Sequence, residues 1–233
     1  MSNIICMIPA RIGSERFKQK NLALINNKPV LAWGIEAAKK SKIFDKVIVN
    51  GDHKYFKDIS KSYQVDFFER DSFLGSSSTK SDDVIIDFLK SNKCSYLIWF
   101  NAIAPLQDPN DINKFVSKLV KEDYQSLFAI KSHYVQALYN KNALNFDQDD
   151  KFQRTQDLKP VQLFVPSLMG WETASFLKKY EESGHAFFCG KTGYFEVSNL
   201  STLVIKKETD FRLIRSVIEG VTTYYDPIEY YPK

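Results

Sequence analysis

Short apolar segments alternate with amphipathic segments from Ile4 to Ile130. Ile4–Ile8 and Tyr96–Phe100 are continuous apolar runs of the kind that forms strands buried on both faces. Pro29–Ser41 repeats apolar residues at helical spacing and begins with a proline, which is favoured in a first helical turn. This alternation predicts an α/β fold with a doubly wound, mostly parallel sheet.

The remaining elements are predicted from the same two periodicities. Further predicted strands are Lys46–Asn50, Val65–Glu69, Ser126–Ile130, Tyr194–Val197 and Thr202–Ile205. Further predicted helices are Lys54–Tyr63, Ser81–Ser91 with Ser81 as its N-cap, Pro109–Glu122, Thr173–Ser183 and Glu208–Glu219. The length of 233 residues fits one domain spanning residues 1–233.

The alternation stops in a polar, poorly periodic segment at about residues 134–165. This segment is long for a plain connection in a compact domain. Its apolar residues nevertheless need burial: Leu138, Tyr139, Phe146, Phe152, Leu163 and Phe164. We therefore expect a flap or a small dimerisation arm here, and we expect the aromatic tail Tyr224–Lys233 to pack on a surface.

Composition and charge narrow the class of protein. The net charge of +4 suits an anionic small molecule and does not predict binding to nucleic acid. Cys6, Cys94 and Cys189 are far apart in the sequence and fit no metal or redox spacing, which predicts reduced thiols in a cytoplasmic protein. We expect neither a signal peptide nor a membrane-spanning segment, because no long apolar run occurs.

The loop after the first strand contains residue types that bind phosphate. The segment Ala10–Asn21 reads A-R-I-G-S-E-R-F-K-Q-K-N. Backbone N–H groups near Gly13 and Ser14 can point at phosphate oxygens, while Arg11 offers a two-pronged donor and Lys20 a mobile point charge. The loop has neither the Walker pattern nor G-x-G-x-x-G, which disfavours P-loop hydrolysis and Rossmann dinucleotide binding. It predicts a polyanion site at the carboxyl end of a strand.

This loop resembles the opening motif of the CMP-sialic acid synthetase (acylneuraminate cytidylyltransferase) and CMP-Kdo synthetase family, roughly I-P-A-R-x-G-S-K/T followed by K-N or K-P. The matching residues are Ile8, Pro9, Ala10, Arg11, Gly13, Ser14, Lys20 and Asn21. The Lys20-Asn21 pair favours the acylneuraminate branch, whereas Ser14-Glu15-Arg16 leans towards the Kdo branch. The resemblance implies a nucleotide-diphospho-sugar transferase type of fold, CTP and an acidic sugar as substrates, Mg²⁺ as cofactor, and a homodimer.

The resemblance extends along most of the chain and implies roles for further residues. The implied nucleotide-binding residues are Ala10, Arg11, Gly13, Ser14, Lys20, Asn21, Arg70, Ser81 and Asn101, with Arg11 and Lys20 also acting in catalysis. Asp52 either contacts the nucleotide or caps the helix from Lys54. Residues 154–160 resemble R-x-Q-D-L-P-P, which implies that Gln156 and Arg154 bind the sugar; a plain loop of the arm is the alternative.

The sequence departs from the family pattern in two places. Asn101–Gln107 replaces L-Q-P-T-S-P-L-R and retains clearly only Pro105-Leu106. Lys206 stands where I-D-T-x-x-D has its first Asp, an implied Mg²⁺ ligand, and a lysine cannot ligate Mg²⁺.

Asp210 matches the second Asp of that motif and is the remaining candidate metal ligand, with a plain position in a first helical turn as the alternative. The sequence thus leaves three functions open. They are a cytidylyltransferase for a sialic-acid-like sugar, a catalytically weakened nucleotide-binding homologue, and a nucleotidyltransferase for a Kdo-like or other acid sugar.

Overall fold

The computed structural model of the chain describes residues 3–76 and 78–220. The strands are β1 (Ile4–Ala10), β2 (Leu24–Ile25), β3 (Lys28–Pro29), β4 (Lys46–Gly51), β5 (Asp66–Glu69), β6 (Tyr96–Phe100), β7 (Ser126–His133), β8 (Leu138–Tyr139), β9 (Asn142–Ala143), β10 (Val161–Glu172) and β11 (Thr192–Glu196). The α-helices are α1 (Val30–Ser41), α2 (Lys54–Ser62), α3 (Ser81–Ser91), α4 (Pro109–Lys121), α5 (Thr173–Ser183) and α6 (Glu208–Gly220). The predicted tail Tyr224–Lys233 lies outside the described residues.

Seven strands form the central sheet in the order β11-β7-β10-β6-β1-β4-β5. The pairs β1–β4, β1–β6, β4–β5 and β7–β11 are parallel, whereas β10 runs antiparallel to both of its neighbours. The predicted mostly parallel sheet is therefore confirmed.

Helices cover both faces of this sheet. Successive side chains of a strand point to opposite faces, so β1 contributes to two cores. Cys6 and Ile8 join the core that includes residues of α1 and α4, and Ile5 and Met7 join the core that includes residues of α3 and α5. Burial of each large apolar side chain contributes about 1.5–3 kcal/mol to folding, which explains why β1 is apolar throughout. The doubly wound architecture is confirmed.

The order of strands reverses at β1. The chain adds β4 and β5 on one side of β1 and then returns to place β6 on the other side. Such a switch point leaves a crevice outside the carboxyl ends of the two central strands, where open α/β sheets bind ligands. In this chain the crevice lies where β1 ends at Ala10 and β6 ends at Phe100.

The sequence did not predict β10, and the first residues of this strand overlap the predicted arm. Its register with β7 shifts between Phe164 and Met169, on either side of Pro166. Gln162, Leu163 and Phe164 are exposed. The first half of the strand therefore lacks the alternation of buried and exposed residues by which a strand is predicted.

Two local predictions are wrong. No strand forms at Thr202–Ile205: a 3₁₀-helix ends at Thr202, and the N–H of Ile205 donates to the carbonyl of Ile103 at 2.8 Å outside the sheet ladders. Ser81 is the first residue of α3 and not its N-cap, which is Lys80. The other predicted elements all occur, with ends that differ by up to three residues. Within residues 3–76 and 78–220, no helix has the length and apolar character needed to cross a membrane.

Candidate active site

A cleft of about 290 Å³ opens at the switch point of the sheet. Its walls come from the loop after β1, from the segment between β5 and α3, and from the end of β6. The lining residues are Pro9, Arg11, Ser14, Arg16, Lys20, Asn21, Arg70, Leu74, Ser76, Thr79, Ser81, Val84, Trp99, Asn101 and Ile103. Seven of the predicted nucleotide-binding residues are thus brought together: Arg11, Ser14, Lys20, Asn21, Arg70, Ser81 and Asn101.

The loop after β1 is held to the opposite wall of the cleft. Arg11 donates from Nη1 to the carbonyl of Ser76 at 3.1 Å, which joins this loop to the segment before α3. The N–H of Ser14 donates to the carbonyl of Ile12 at 3.0 Å and closes a tight turn around Gly13. A Cβ on Gly13 would have no neighbour within 4 Å, so this turn projects into open space. The turn can therefore approach a ligand closely.

Lys20 is the most strongly perturbed cation of the cleft. It begins a short 3₁₀-helix, Lys20–Leu22, which follows directly on the loop. Burial, together with the positive charges of Arg16 and Arg11, lowers the pKa of Lys20 to about 8. These cations repel one another in the free protein, and an anion in the cleft removes that repulsion.

The lowered pKa of Lys20 predicts a pH dependence of anion binding. Below pH 8 the ammonium is charged, and a bound polyanion raises the lowered pKa of Lys20 back towards the ordinary value of a lysine. Affinity for a nucleoside triphosphate should fall about tenfold between pH 7 and pH 9. Isothermal calorimetry across this range measures the effect. Lys20→Arg keeps its charge and should show no such loss, so equal slopes for the two proteins would contradict the assignment.

Arg70 is a buried guanidinium in the wall of the cleft. It is 5% exposed, and its Nη2 donates to the carbonyl of Ala10 at 2.9 Å. Burial lowers the pKa of Arg70, and the negative charges of Asp52 and Asp87 oppose that change. Ala10 itself is buried and is not among the lining residues of the cleft, so its carbonyl serves to hold Arg70.

Asp52 accepts a hydrogen bond from the loop after β1. Its Oδ1 accepts the N–H of Ile12 at 2.9 Å. His53, and not Asp52, caps α2, since its Nδ1 accepts the N–H of Tyr55. The other carboxylate oxygen of Asp52 lies so close to Gly75 that a Cβ at that position would overlap it. Asp52 therefore hydrogen-bonds one loop of the cleft and packs against the other.

Gly75→Ala is expected to disturb this contact. The added methyl group would push Asp52 off the N–H of Ile12 and cost about 1–3 kcal/mol of unfolding free energy. Chemical denaturation measures the change. Gly13→Ala is the matched control, because its Cβ meets nothing within 4 Å. Equal stability of the two variants would contradict the proposed role of the Asp52 contact.

Within residues 3–76 and 78–220, three buried polar atoms around the cleft have no hydrogen-bond partner: Asn21 Oδ1, Arg70 Nε and Trp99 Nε1. Asn21 is only 4% exposed, and an unpaired buried polar atom costs about 1–3 kcal/mol. One acceptor and two donors are therefore left over at a cleft lined by cations. This combination is expected of a site whose ligand carries both polar and anionic groups.

The two predicted sugar-binding residues lie away from the lining of this cleft. Arg154 pairs with Asp157, with Nε 2.9 Å from Oδ2, and its side chain is exposed. Gln156 is also exposed, within a 3₁₀-helix at Thr155–Asp157. Both residues belong to the segment predicted as an arm, residues 134–165.

The carboxylate of Asp210 accepts hydrogen bonds from the backbone at the start of α6. Its Oδ2 accepts the N–H groups of Lys206 and Lys207, each at 2.8 Å. Partial burial raises the pKa of Asp210. The two backbone donors and the lysine charges outweigh this effect, so the pKa is lowered overall. The described residues contain no group of three His, Cys, Asp or Glu side chains placed to hold a metal ion. Asp210 as a metal ligand stays a prediction.

Sequence reasoning missed several lining residues. Arg16 was part of the loop motif without an assigned role, and Trp99 looked like an ordinary core residue of an apolar strand. Ser76 was also missed, and its hydroxyl group lies 2.9 Å from that of Thr79. Only the cationic pattern could have identified Arg16 in advance.

The chain matches the sequence profile of a family described as "Cytidylyltransferase" over residues 5–225. It is 26% identical over 229 residues to post-translational flagellin modification protein B of Campylobacter coli, covering 94% of this chain and 96% of that protein. A pseudaminic acid cytidylyltransferase of Campylobacter jejuni is 31% identical over 66% of this chain and 72% of its own length. An N-acylneuraminate cytidylyltransferase of Escherichia coli is 40% identical over 36% of this chain and 20% of its own length.

The fold is similar to that of a solved CMP:2-keto-3-deoxy-manno-octonic acid synthetase in complex with CTP. The TM-score is 0.69 at 12% sequence identity, over 94% of this chain and 100% of that structure. At this identity the likeness concerns the fold alone.

Proposed function

The chain belongs to the cytidylyltransferase family, and on that premise we propose that it transfers CMP from CTP to an acidic 2-keto sugar and releases pyrophosphate. The resemblance drawn from the N-terminal loop to this family is confirmed. The observation that supports the proposal most is the cleft at the switch point, which is lined by four cations: Arg11, Arg16, Lys20 and Arg70. Four cations at the carboxyl ends of parallel strands suit a nucleoside triphosphate.

The protein contributes to the transfer mainly by aligning the two reactants, and it need not form a covalent bond to either. The anomeric hydroxyl oxygen of the sugar acid attacks the α-phosphorus of CTP, the bond to the β-phosphate breaks, and pyrophosphate leaves. The hydroxyl proton passes to solvent. Arg11 and Lys20 stabilise the charge that develops on the departing pyrophosphate. Ser14 and Asn21 position the triphosphate, and Arg70, Ser81 and Asn101 bind the remainder of the nucleotide.

An apolar pocket supports an acylated sugar as the acceptor. It has a volume of about 230 Å³ and is lined by Phe128, Ala129, Phe164, Val165, Pro166, Met169, Phe187 and Phe188. Met169 pairs with Trp99 across β10 and β6, so this pocket begins one strand away from the cleft. Because Kdo carries no acyl group to fill such a pocket, an N-acylated nonulosonic acid is the better fit.

Phe188→Ala tests the role of this pocket. The side chain of Phe188 lies at the mouth of the pocket and is 55% exposed. Loss of this side chain should raise KM for an N-acylated nonulosonate about tenfold. The KM for CTP should stay unchanged, as measured by pyrophosphate release. Tyr55→Ala, a similarly exposed aromatic change on α2, is the control. An unchanged KM for the sugar would remove the pocket from the acceptor site.

The arm supports a homodimer as part of the proposal. Phe152 is 82% exposed and Tyr139 is 69% exposed, although large apolar side chains of a monomer are mostly covered. Arg154 and Gln156 lie on the same arm, so a second copy could bring them to its neighbour's cleft. Light scattering of the purified protein should give the mass of two chains, and a monomer would count against this assembly.

Incubation with CTP, Mg²⁺ and a panel of sugar acids tests the main proposal. Pyrophosphate and a CMP-sugar should form with N-acylated nonulosonates, and Arg11→Ala should lose CTP binding.

Lys206 favours a second candidate, a nucleotide-binding homologue without turnover, for which CTP would bind and no pyrophosphate would form. A cytoplasmic location is also proposed, because Cys6, Cys94 and Cys189 are free thiols.

A further inference from the structure

Two carboxylates near the cleft, those of Asp52 and Asp210, accept hydrogen bonds from the backbone. Asp52 accepts the N–H of Ile12, and Asp210 accepts the N–H groups of Lys206 and Lys207. Asp52 and Asp87 also act on the charge of Arg70. Mg²⁺ requires several oxygen ligands in near-octahedral geometry. In nucleotide sites the protein usually contributes one or two carboxylates to Mg²⁺, beside the phosphates and water. The lining of this cleft contains no Asp or Glu, so among the described residues it lacks the groups that would hold a divalent ion there.

Lys206 lies beside the cleft at the start of α6. The preceding residue, Ile205, is buried and donates its N–H to the carbonyl of Ile103, a residue of the cleft wall. The rings of Phe17 and Phe211 pack with centroids 5.3 Å apart, which fixes α6 against the loop after β1. Asp210, which holds the backbone of Lys206, also acts on the charge of Lys20. Lys206 is exposed, so its ammonium is free to move towards an anion in the cleft.

We infer that this site neutralises the phosphates of its nucleotide with side-chain cations, Lys206 among them, in place of a divalent ion held by protein carboxylates. The inference rests on the proposed binding of a nucleoside triphosphate. Free CTP carries about four negative charges near pH 8, and its Mg²⁺ chelate about two. Four cations already line the cleft, and Lys206 adds a fifth at its edge. Mg²⁺ would reach this protein only as part of the nucleotide, coordinated by phosphate oxygens and water.

Calorimetry with CTP and with inorganic pyrophosphate, each in EDTA and in saturating Mg²⁺, tests the inference. Both probes should bind in EDTA, and Mg²⁺ should weaken each by about threefold or more because it removes charge from the ligand. Tighter CTP binding in Mg²⁺, or no binding of either probe in EDTA, would overturn the inference.

Lys206→Asp and its neighbour Lys207→Asp form a matched pair with the same change of charge. Lys206→Asp should weaken metal-free CTP binding about tenfold, and Mg²⁺ should then tighten it. Lys207→Asp should change binding by less than about threefold and keep the preference for the free nucleotide. Unfolding temperatures establish that both variants fold. Equal effects of the two substitutions would contradict the role of Lys206.

The same measurements separate this inference from the proposed function. Release of pyrophosphate from CTP and a sugar, with CTP binding that Mg²⁺ tightens, would overturn the inference and leave the proposed function standing. Metal-free binding of pyrophosphate without any CTP binding would keep the cationic site and overturn the proposed function.

Discussion

Lys20→Ala is expected to lower kcat/KM for CTP by about 100-fold or more, the largest effect of any single substitution in the cleft. Lys20 lines the cleft, is partly buried, and has Arg11 and Arg16 as its electrostatic neighbours. A partly buried cation surrounded by other cations is costly in the free protein, and its electrostatic energy improves most when a polyanion binds. Steady-state kinetics with pyrophosphate detection measures the loss.

Lys18→Ala is the control for this experiment. Lys18 belongs to the same loop and carries the same charge, but it is exposed and is not among the lining residues of the cleft. Its substitution should change kcat/KM by less than about threefold, as is typical of exposed charges. Similar losses in the two variants would mean that the loop acts through its overall charge and that Lys20 has no specific role.

Arg70→Met is expected to impair stability and nucleotide binding together. The substitution leaves the carbonyl of Ala10 without its donor and removes the positive charge that faces Asp52 and Asp87. An unpaired buried carbonyl and uncompensated carboxylates should cost about 2–4 kcal/mol of unfolding free energy. CTP affinity should fall at least about tenfold, because the unpartnered Nε of Arg70 is also lost.

Arg70→Lys separates the charge of this residue from its geometry. Lysine keeps the positive charge and should restore most of the stability, but it cannot provide two donors in a planar fork. CTP binding by Arg70→Lys should therefore remain weak while its denaturation midpoint approaches that of the unchanged protein. Full recovery of CTP binding would show that only the charge matters.

The strand–helix alternation up to Ile130 was sufficient to predict β1, β4, β5, β6 and β7, because buried parallel strands need apolar residues on both faces. The cleft followed from the same reasoning, since the cations of the Ala10–Asn21 segment come directly after the first strand. The first half of β10 could not be predicted, since it pairs only with the outer part of β7 and leaves Leu163 and Phe164 exposed.

Roles that depend on contacts distant in sequence were also beyond prediction. Asp52 could be a cap or a ligand from its position alone, and only the fold shows that it holds Ile12 and lies against Gly75. Ile205 belongs to an apolar run and was assigned to a strand, but its N–H bonds to the loop after β6. The Asp52–Ile12 bond joins residues 40 positions apart, and the bond between Ile205 and Ile103 spans about a hundred, so no local pattern encodes either of them.

A crystal structure of the protein soaked with CTP tests the central claim most directly. The claim predicts density in the cleft at the switch point, with the triphosphate against Arg11 and Lys20 and the cytidine directed towards Arg70 and Ser81. Density for CTP at another surface, or an Arg11 guanidinium that still bonds only to Ser76 beside an empty cleft, would contradict it.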